Sequence, residues 1–209
     1  MIVTIDPGHG GDDPGAVGVE PGNGGQECPP HQVTEAELNW TLADWLRLVL
    51  EDDGHSPVLT RSQDQGVPLK TRARAAAGSH CLVSIHHNAA ESPGARGFEI
   101  FIHKPADGGE VRERDMALAA LILEECRSVL EAWGIPLRNP PIKADADWAS
   151  RGRLTVLAEC GPPACLLEVS FITNPRELLV VGQEYFQNHM ATAIARGITR
   201  FGKEVLYVL

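Results

Sequence analysis

The sequence predicts an α/β fold: one domain in which a mostly parallel central sheet of about six strands is flanked by helices. Short apolar runs typical of buried strands alternate along the chain with longer segments of 3.6-residue periodicity, which is the pattern of βα units. Glycine and proline follow several of these runs and mark their ends. With 209 residues, 43% of them hydrophobic, the chain can bury one sizeable core, so we expect a single domain over residues 1–209.

The first elements are bounded by clear signals. A strand is predicted over residues 2–5, which precede Asp6-Pro7 and a glycine-rich turn. A Gly/Pro-rich loop is expected over residues 18–33. A helix should then cover residues 34–53, because Thr34 and Glu37 have the spacing of a capping box.

The rest of the chain continues the alternation. Further strands are predicted at residues 55–60, 81–85, 98–102, 154–158 and 165–171. Further helices are predicted at residues 67–77, 111–133, 177–181 and 184–201. Gly134 follows the second of these helices, in the position where glycine ends helices.

Two histidines follow predicted strands. His9 lies between Gly8 and Gly10-Gly11 after the first strand, and His86 follows the strand at 81–85. In open α/β sheets the carboxyl ends of the strands form the ligand site, so two imidazoles there indicate a metal site. His87 should point to the opposite face of its strand, which makes His86 the better ligand candidate.

Two acidic residues complete the candidate site. Glu35 lies in the first turn of a helix, where a carboxylate is stabilised without any ligand role, yet two histidines and a glutamate plus water form a common catalytic zinc sphere. Glu168 interrupts an otherwise apolar strand, where an unpaired carboxylate is costly. Either a partner compensates it, or it lines a polar site and moves protons. Asp6 is the candidate carboxylate for orienting the imidazoles.

Composition excludes several classes of function. The formal net charge is −10, so neither nucleic acid nor an anionic membrane surface would meet a basic stripe. No apolar run approaches the ~20 residues of a membrane span, so we expect no membrane insertion. No signal peptide is visible at the N-terminus. Five cysteines have no paired spacing, and Cys81 and Cys165 are expected to be buried thiols.

These motifs resemble those of the zinc-dependent N-acetylmuramoyl-L-alanine amidases (amidase type 3), which cleave peptidoglycan. The resemblance places metal ligands at His9, Glu35 and His86 and a catalytic glutamate at Glu168. The matching segments are IDPGHGGDDPGAVG (5–18), EAELN (35–39), LTR (59–61), SIHHNA (84–89) and LEVSFITNP (167–175). Ala36, His87 and Ser170 depart from the family pattern, which leaves the fine substrate preference open.

The resemblance implies a Zn²⁺-dependent hydrolase of the amide bond between N-acetylmuramic acid and L-alanine, with a zinc-bound water as nucleophile and Glu168 as general base and acid. It also implies one catalytic domain without a separate cell-wall-binding domain, acting on the cell wall in the periplasm or outside the cell. Without a visible leader, a phage endolysin released by holin-type lysis fits, as does an autolysin. The alternatives are a zinc peptidase or deacetylase with the same metal sphere and an inactive wall-binding protein.

Overall fold

The fold is built on a six-stranded, mostly parallel sheet. The computed structural model describes residues 1–20, 30–105, 109–147 and 152–207. The strands are β1 (Ile2–Pro7), β2 (Val17–Glu20), β3 (His31–Thr34), β4 (Ser56–Leu59), β5 (Cys81–Asn88), β6 (Phe98–Ile102), β7 (Leu137–Ala144) and β8 (Ala164–Phe171). The large sheet has the order β4-β1-β5-β8-β6-β7, and only the β6–β8 pairing in it is antiparallel. The predicted fold class is confirmed.

Helices cover both faces of this sheet. They are α1 (Glu35–Asp52), α2 (Leu69–Ala75), α3 (Glu113–Ala132), α4 (Thr155–Ala158), α5 (Pro175–Val181) and α6 (Glu184–Phe201). The main core lies between one sheet face and α1, α3 and α6. A smaller core, with Leu157 of α4 against Leu82 and Leu166, lies on the other face. The capping box predicted at Thr34 and Glu37 is present.

One predicted strand is a helix. The sequence predicts a strand at residues 154–158, but Thr155–Ala158 is the short helix α4. Leu157 packs in the smaller core there, and a run this short is ambiguous between helix and strand. The sixth strand of the sheet is instead β7, whose sequence contains Pro140 and Pro141. Proline is tolerated because β7 is an edge strand.

The predicted loop at 18–33 begins and ends in strand structure. Its flanks form a two-stranded antiparallel hairpin of β2 and β3, in which Val17 pairs with Thr34. Residues 21–29 of that loop, including Cys28, lie outside the described part of the chain. The hairpin leads directly into α1 and so sets where that helix begins.

The predicted buried thiols are confirmed. Cys81 and Cys165 are fully buried in the core, and burial raises the pKa of Cys81 to about 12. None of the helices in the described ranges combines the length and apolar character that crossing a bilayer requires.

Helices α3 and α6 touch closely at Gly197. A Cβ atom added there would lie 2.6 Å from the Cα atom of Ile122 on α3, which is main chain and cannot move aside cheaply. Helix propensity alone favours alanine over glycine by about 1 kcal/mol. At this position the contact between the helices opposes that preference.

We therefore expect Gly197→Ala to lower the free energy of unfolding by about 1–3 kcal/mol, the usual cost of overpacking a core. Urea denaturation followed by circular dichroism measures it. Gly161→Ala is the control, because a Cβ atom there meets no neighbour within 4 Å. Equal stabilities of the two variants would contradict the close packing of α3 on α6.

Candidate metal centre

Three side chains converge at the carboxyl edge of the sheet. His9 Nε2 lies 3.2 Å from Glu35 Oε2, and His86 Nδ1 lies 2.9 Å from Glu35 Oε1. One potential ligand atom from each residue lies within 4.8 Å of the other two. The structure thus brings together the three residues that the sequence suggested as metal ligands.

The sheet and one helix position these residues. Strands β1 and β5 are parallel neighbours, with Pro7 opposite Ile85, so the residues that follow in each strand meet at one edge. His9 follows β1, His86 lies near the end of β5, and Glu35 is the first residue of α1. The capped start of α1 therefore aims a carboxylate between two imidazoles.

Two glycines make room for the triad. A Cβ atom at Gly8 would lie 2.2 Å from the His86 ring, and one at Gly15 would lie 2.6 Å from Glu35 Oε2. Gly15 also has a φ of +67°, which side chains disfavour. The glycine-rich turn noted in the sequence is thus a steric requirement of the site.

Two buried arginines hold the His9 loop by its carbonyl oxygens. Arg72 donates to the carbonyls of Pro7 and His9, and Arg61 donates to those of Pro7 and Gly8. His9 has a φ of 60°, a left-handed conformation that costs a non-glycine residue about 1–3 kcal/mol. These charge-assisted hydrogen bonds keep the loop in that conformation.

Asp6 does not orient the imidazoles, contrary to the expectation from its position. Its fully buried carboxylate accepts hydrogen bonds from Thr60 and Ser84 and lies 3.2 Å from Nη1 of Arg72. Its side chain lies on β1, before the turn that carries His9. Asp6 instead compensates the charge of one arginine that holds the loop.

Asp13 is the residue that orients His9. Its Oδ2 lies 2.9 Å from His9 Nδ1, and its Oδ1 accepts the backbone N–H of Gly15. A carboxylate only accepts, so His9 Nδ1 donates to Asp13, and Nε2, which faces Glu35, is the ring nitrogen left to bind a metal. Sequence reasoning missed this role, although an acid four residues after a histidine in a glycine-rich turn was visible.

Asn39 and His87 hold Glu35 in place through hydrogen bonds on the buried side of the site. Asn39 Nδ2 donates to the carbonyl of Gly8 and lies 3.4 Å from Glu35 Oε1, while Asn39 Oδ1 lies 2.8 Å from His87 Nδ1. Burial lowers the pKa of His87 to about 4, so this ring is neutral at pH 7. His87 thus belongs to the support of the site.

The charges of the triad depend on each other. Burial alone would raise the pKa of Glu35, but hydrogen bonds and charge interactions with His86 and His9 hold it well below its usual range. Burial lowers the pKa of His9, but the contacts with Glu35 and Asp13 outweigh burial and raise it. Glu35 is therefore an anion that attracts cationic charge to this position.

Glu168 lies beside the triad. It is 7% exposed, and its strand β8 pairs with β5 so that Glu168 is opposite His86. Both residues line a cavity of about 370 Å³. Its lining residues are His9, Asp13, Gly15, Ala16, Glu35, His86, His87, Asn88, Ala89 and Glu168. All four residues predicted for the site thus face one cavity.

The donor set fits zinc. Two imidazole nitrogens and one carboxylate oxygen are a known catalytic zinc sphere, which leaves a position open. Glu35 lies 3.2 Å from His9 and 2.9 Å from His86, and the three ligand atoms lie within 4.8 Å of one another, so one ion could contact all three. The hydrogen bond from His9 to Asp13 is the outer-shell contact that metal-bound histidines need.

Comparison with known proteins points to one family. The family model described as N-acetylmuramoyl-L-alanine amidase matches residues 3–200. The chain is 29% identical to the N-acetylmuramoyl-L-alanine amidase AmiA of Salmonella typhimurium over 96% of this chain and 75% of that protein. It is 31% identical to the sporulation-specific N-acetylmuramoyl-L-alanine amidase of Bacillus subtilis, over 94% of this chain and 66% of that protein.

Solved structures agree with the sequence comparisons. The catalytic domain of CwlV, an N-acetylmuramoyl-L-alanine amidase from Bacillus (Paenibacillus) polymyxa var. colistinus, superposes with a TM-score of 0.77 at 29% identity, covering 97% of this chain and 98% of that one. The N-acetylmuramoyl-L-alanine amidase AmiC2 of Nostoc punctiforme gives a TM-score of 0.77 at 28% identity and covers 98% of both chains.

Asp13→Ala should weaken zinc binding by about 10–100-fold, because His9 loses the acceptor that fixes its tautomer and orientation. Competition with a chromophoric chelator measures the affinity. Asp12→Ala is the matched control, because it removes the same charge from the adjacent, exposed position. If both variants bound zinc equally well, Asp13 would have no orienting role.

Arg72→Lys should lower the free energy of unfolding by about 1.5–3 kcal/mol, because an ammonium cannot reach Asp6 and two carbonyls with the fork of a guanidinium. Chemical denaturation measures this difference. Arg74→Lys makes the same exchange at an exposed position of α2 and should leave stability unchanged. Equal stabilities of the Arg72→Lys and Arg74→Lys proteins would refute the role given to Arg72.

Proposed function

Because the chain belongs to the N-acetylmuramoyl-L-alanine amidase family, we propose that the cavity at the carboxyl edge of its sheet is where the amide bond between N-acetylmuramic acid and L-alanine is hydrolysed. The observation that carries this proposal is the meeting of His9, Glu35, His86 and Glu168 in one cavity. Such a set combines a metal-binding group with a separate carboxylate, which is what metal-assisted amide hydrolysis requires.

Zn²⁺ is the proposed cofactor, held by His9, Glu35 and His86. A bound zinc ion supplies Lewis acidity, which polarises the scissile carbonyl and makes water acidic enough to attack near pH 7. The protein supplies the fixed geometry: Asp13 orients His9, and the backbone N–H of Ala16 and the side chain of Asn39 hold Glu35.

Glu168 is the proposed general base and acid. It takes a proton from the attacking water as the water oxygen bonds to the carbonyl carbon, and then delivers that proton to the alanine nitrogen as the C–N bond breaks. The products are a muramyl carboxylic acid and a stem peptide with a free amino group. Glu168 lies opposite His86 on the neighbouring strand, so it is beside the three proposed ligands and is not one of them.

The biological setting follows from the substrate. Peptidoglycan lies outside the cytoplasm, so we propose that the enzyme acts in the periplasm or outside the cell. A phage endolysin released through a holin-type membrane lesion and a bacterial autolysin are both compatible with the same site. The proposed reaction is the same for an endolysin and for an autolysin, because both would cleave the same bond.

The test is mass spectrometry of purified sacculi digested by the protein. We expect stem peptides with a free N-terminal alanine, lost on chelation and restored by zinc. Fragments cut within the peptide, or released acetate, would instead identify a peptidase or a deacetylase. Intact sacculi with zinc-loaded protein would identify a wall-binding protein.

Glu168→Gln should lower kcat by about 10²–10⁴-fold, the usual contribution of a positioned general base, while zinc affinity stays within about twofold of wild type. Release of N-terminal alanine and chelator competition measure the two quantities. Glu184→Gln, an exposed change at the start of α6, is the control. Loss of zinc together with activity would make Glu168 a ligand and contradict its role as base.

A further inference from the structure

A second buried carboxylate, Glu99, lies next to the proposed general base. Glu99 on β6 is 3% exposed and is directly opposite Glu168 in the antiparallel pairing of β6 with β8. Residues opposite each other in such a pair project to the same sheet face, with their Cβ atoms about 4.5–5.5 Å apart. His86, Glu168 and Glu99 therefore form a row across three neighbouring strands.

Glu99 is joined to the cavity on one side. The side-chain amide of Asn88, which lines the cavity, donates to Glu99 Oε1 over 2.8 Å. Asn88 is the last residue of β5 and follows the proposed ligand His86 by two positions. Asn88 thus connects Glu99 on β6 to the cavity through a hydrogen bond.

Two cations from the edge strand β7 lie on the other side of Glu99. Lys143 donates through Nζ to Glu99 Oε2, and Nε of Arg138 lies 3.6 Å from the same oxygen. The guanidinium of Arg138 also lies over the ring of Phe171, 5.4 Å from its centroid, three residues after Glu168 on β8. The cations are therefore held at the end of the row.

One carboxylate cannot satisfy these two cations. A lysine ammonium carries three donors and a guanidinium carries five, whereas Glu99 shares one oxygen between them and gives the other to Asn88. Both cations also reach solvent, since the side chain of Arg138 is 41% exposed and that of Lys143 is 25% exposed. Both cations therefore have donors that Glu99 leaves open to a ligand from solution.

We propose that Arg138 and Lys143 form a subsite that binds a free carboxylate of the stem peptide, with Glu99 as the residue that positions both cations. The proposal rests on the proposed amidase function and extends it to substrate selection. A guanidinium and an ammonium side by side are the donors that carboxylates prefer, and the ion pair would be only partly screened at this half-buried position.

The spacing of the strands sets which carboxylate is reached. Glu99, which Lys143 contacts, lies on β6, one strand spacing of about 4.8 Å from Glu168 on β8. The strand that carries both cations, β7, lies one spacing further. A bound peptide that runs across the row from the scissile bond covers about 3.3–3.6 Å per extended residue. The subsite therefore suits an acidic group carried by the second or third residue of the stem peptide.

The test compares two soluble substrates, an N-acetylmuramoyl tripeptide with free carboxylates and the same compound with every carboxylate amidated. Wild-type protein should have a kcat/KM about tenfold higher on the acidic substrate. The double variant Arg138→Gln/Lys143→Gln should reduce that preference to less than about twofold, because kcat/KM falls much more on the acidic substrate than on the amidated one. Arg114→Gln/Arg127→Gln, which neutralises two exposed arginines of α3, should keep the full preference.

Equal cleavage of both substrates by the wild-type protein would overturn the subsite, and this comparison needs no folded variant. An equal loss on both substrates in the double variant would also overturn it, because that result means a structural role for the two cations. Failure of the proposed function looks different: the wild-type protein would then cleave neither substrate at the muramyl–alanine bond.

Discussion

The site depends on two buried guanidinium groups that bind the backbone of the His9 loop. Arg61 and Arg72 come from the segment after β4 and from α2, and both donate to the carbonyl of Pro7. Arg61 also donates to the carbonyl of Ala36 in the first turn of α1, beside Glu35. Both arginines therefore fix the loop that carries one imidazole, and Arg61 also fixes the helix start that carries the carboxylate.

These charges are themselves compensated within the fold. Asp6 balances Arg72, and burial together with neighbouring Arg72 lowers the pKa of Arg61 to about 10, which leaves Arg61 charged at neutral pH. A buried arginine without such partners would be strongly destabilising. Asp6 on β1 therefore compensates an arginine that holds the loop, whereas Glu35 and Asp13 contact the imidazoles.

Local patterns predicted much of this structure. Rules that act over a few residues predict the strand before His9, the helix start at Glu35 and the exceptional charge of Glu168. The parallel sheet then brings these residues to one edge. Other features depend on contacts distant in sequence. Strand β7 contains two prolines, which a strand tolerates at the edge of a sheet. The hydrogen-bond partners of Asp6 and Asp13 depend on how the loop folds. Glu99 interrupts an apolar strand just as Glu168 does, but its role depends on Lys143, which is 44 residues away.

The central claim is that His9, Glu35 and His86 hold zinc, and X-ray absorption at the zinc edge of the loaded wild-type protein tests it most directly. We expect only nitrogen and oxygen neighbours at about 2.0–2.2 Å, with the outer-shell scattering of two imidazoles, reduced to one in His9→Ala and in His86→Ala. A sulfur shell at about 2.3 Å, or imidazole scattering that both substitutions leave unchanged, would contradict it.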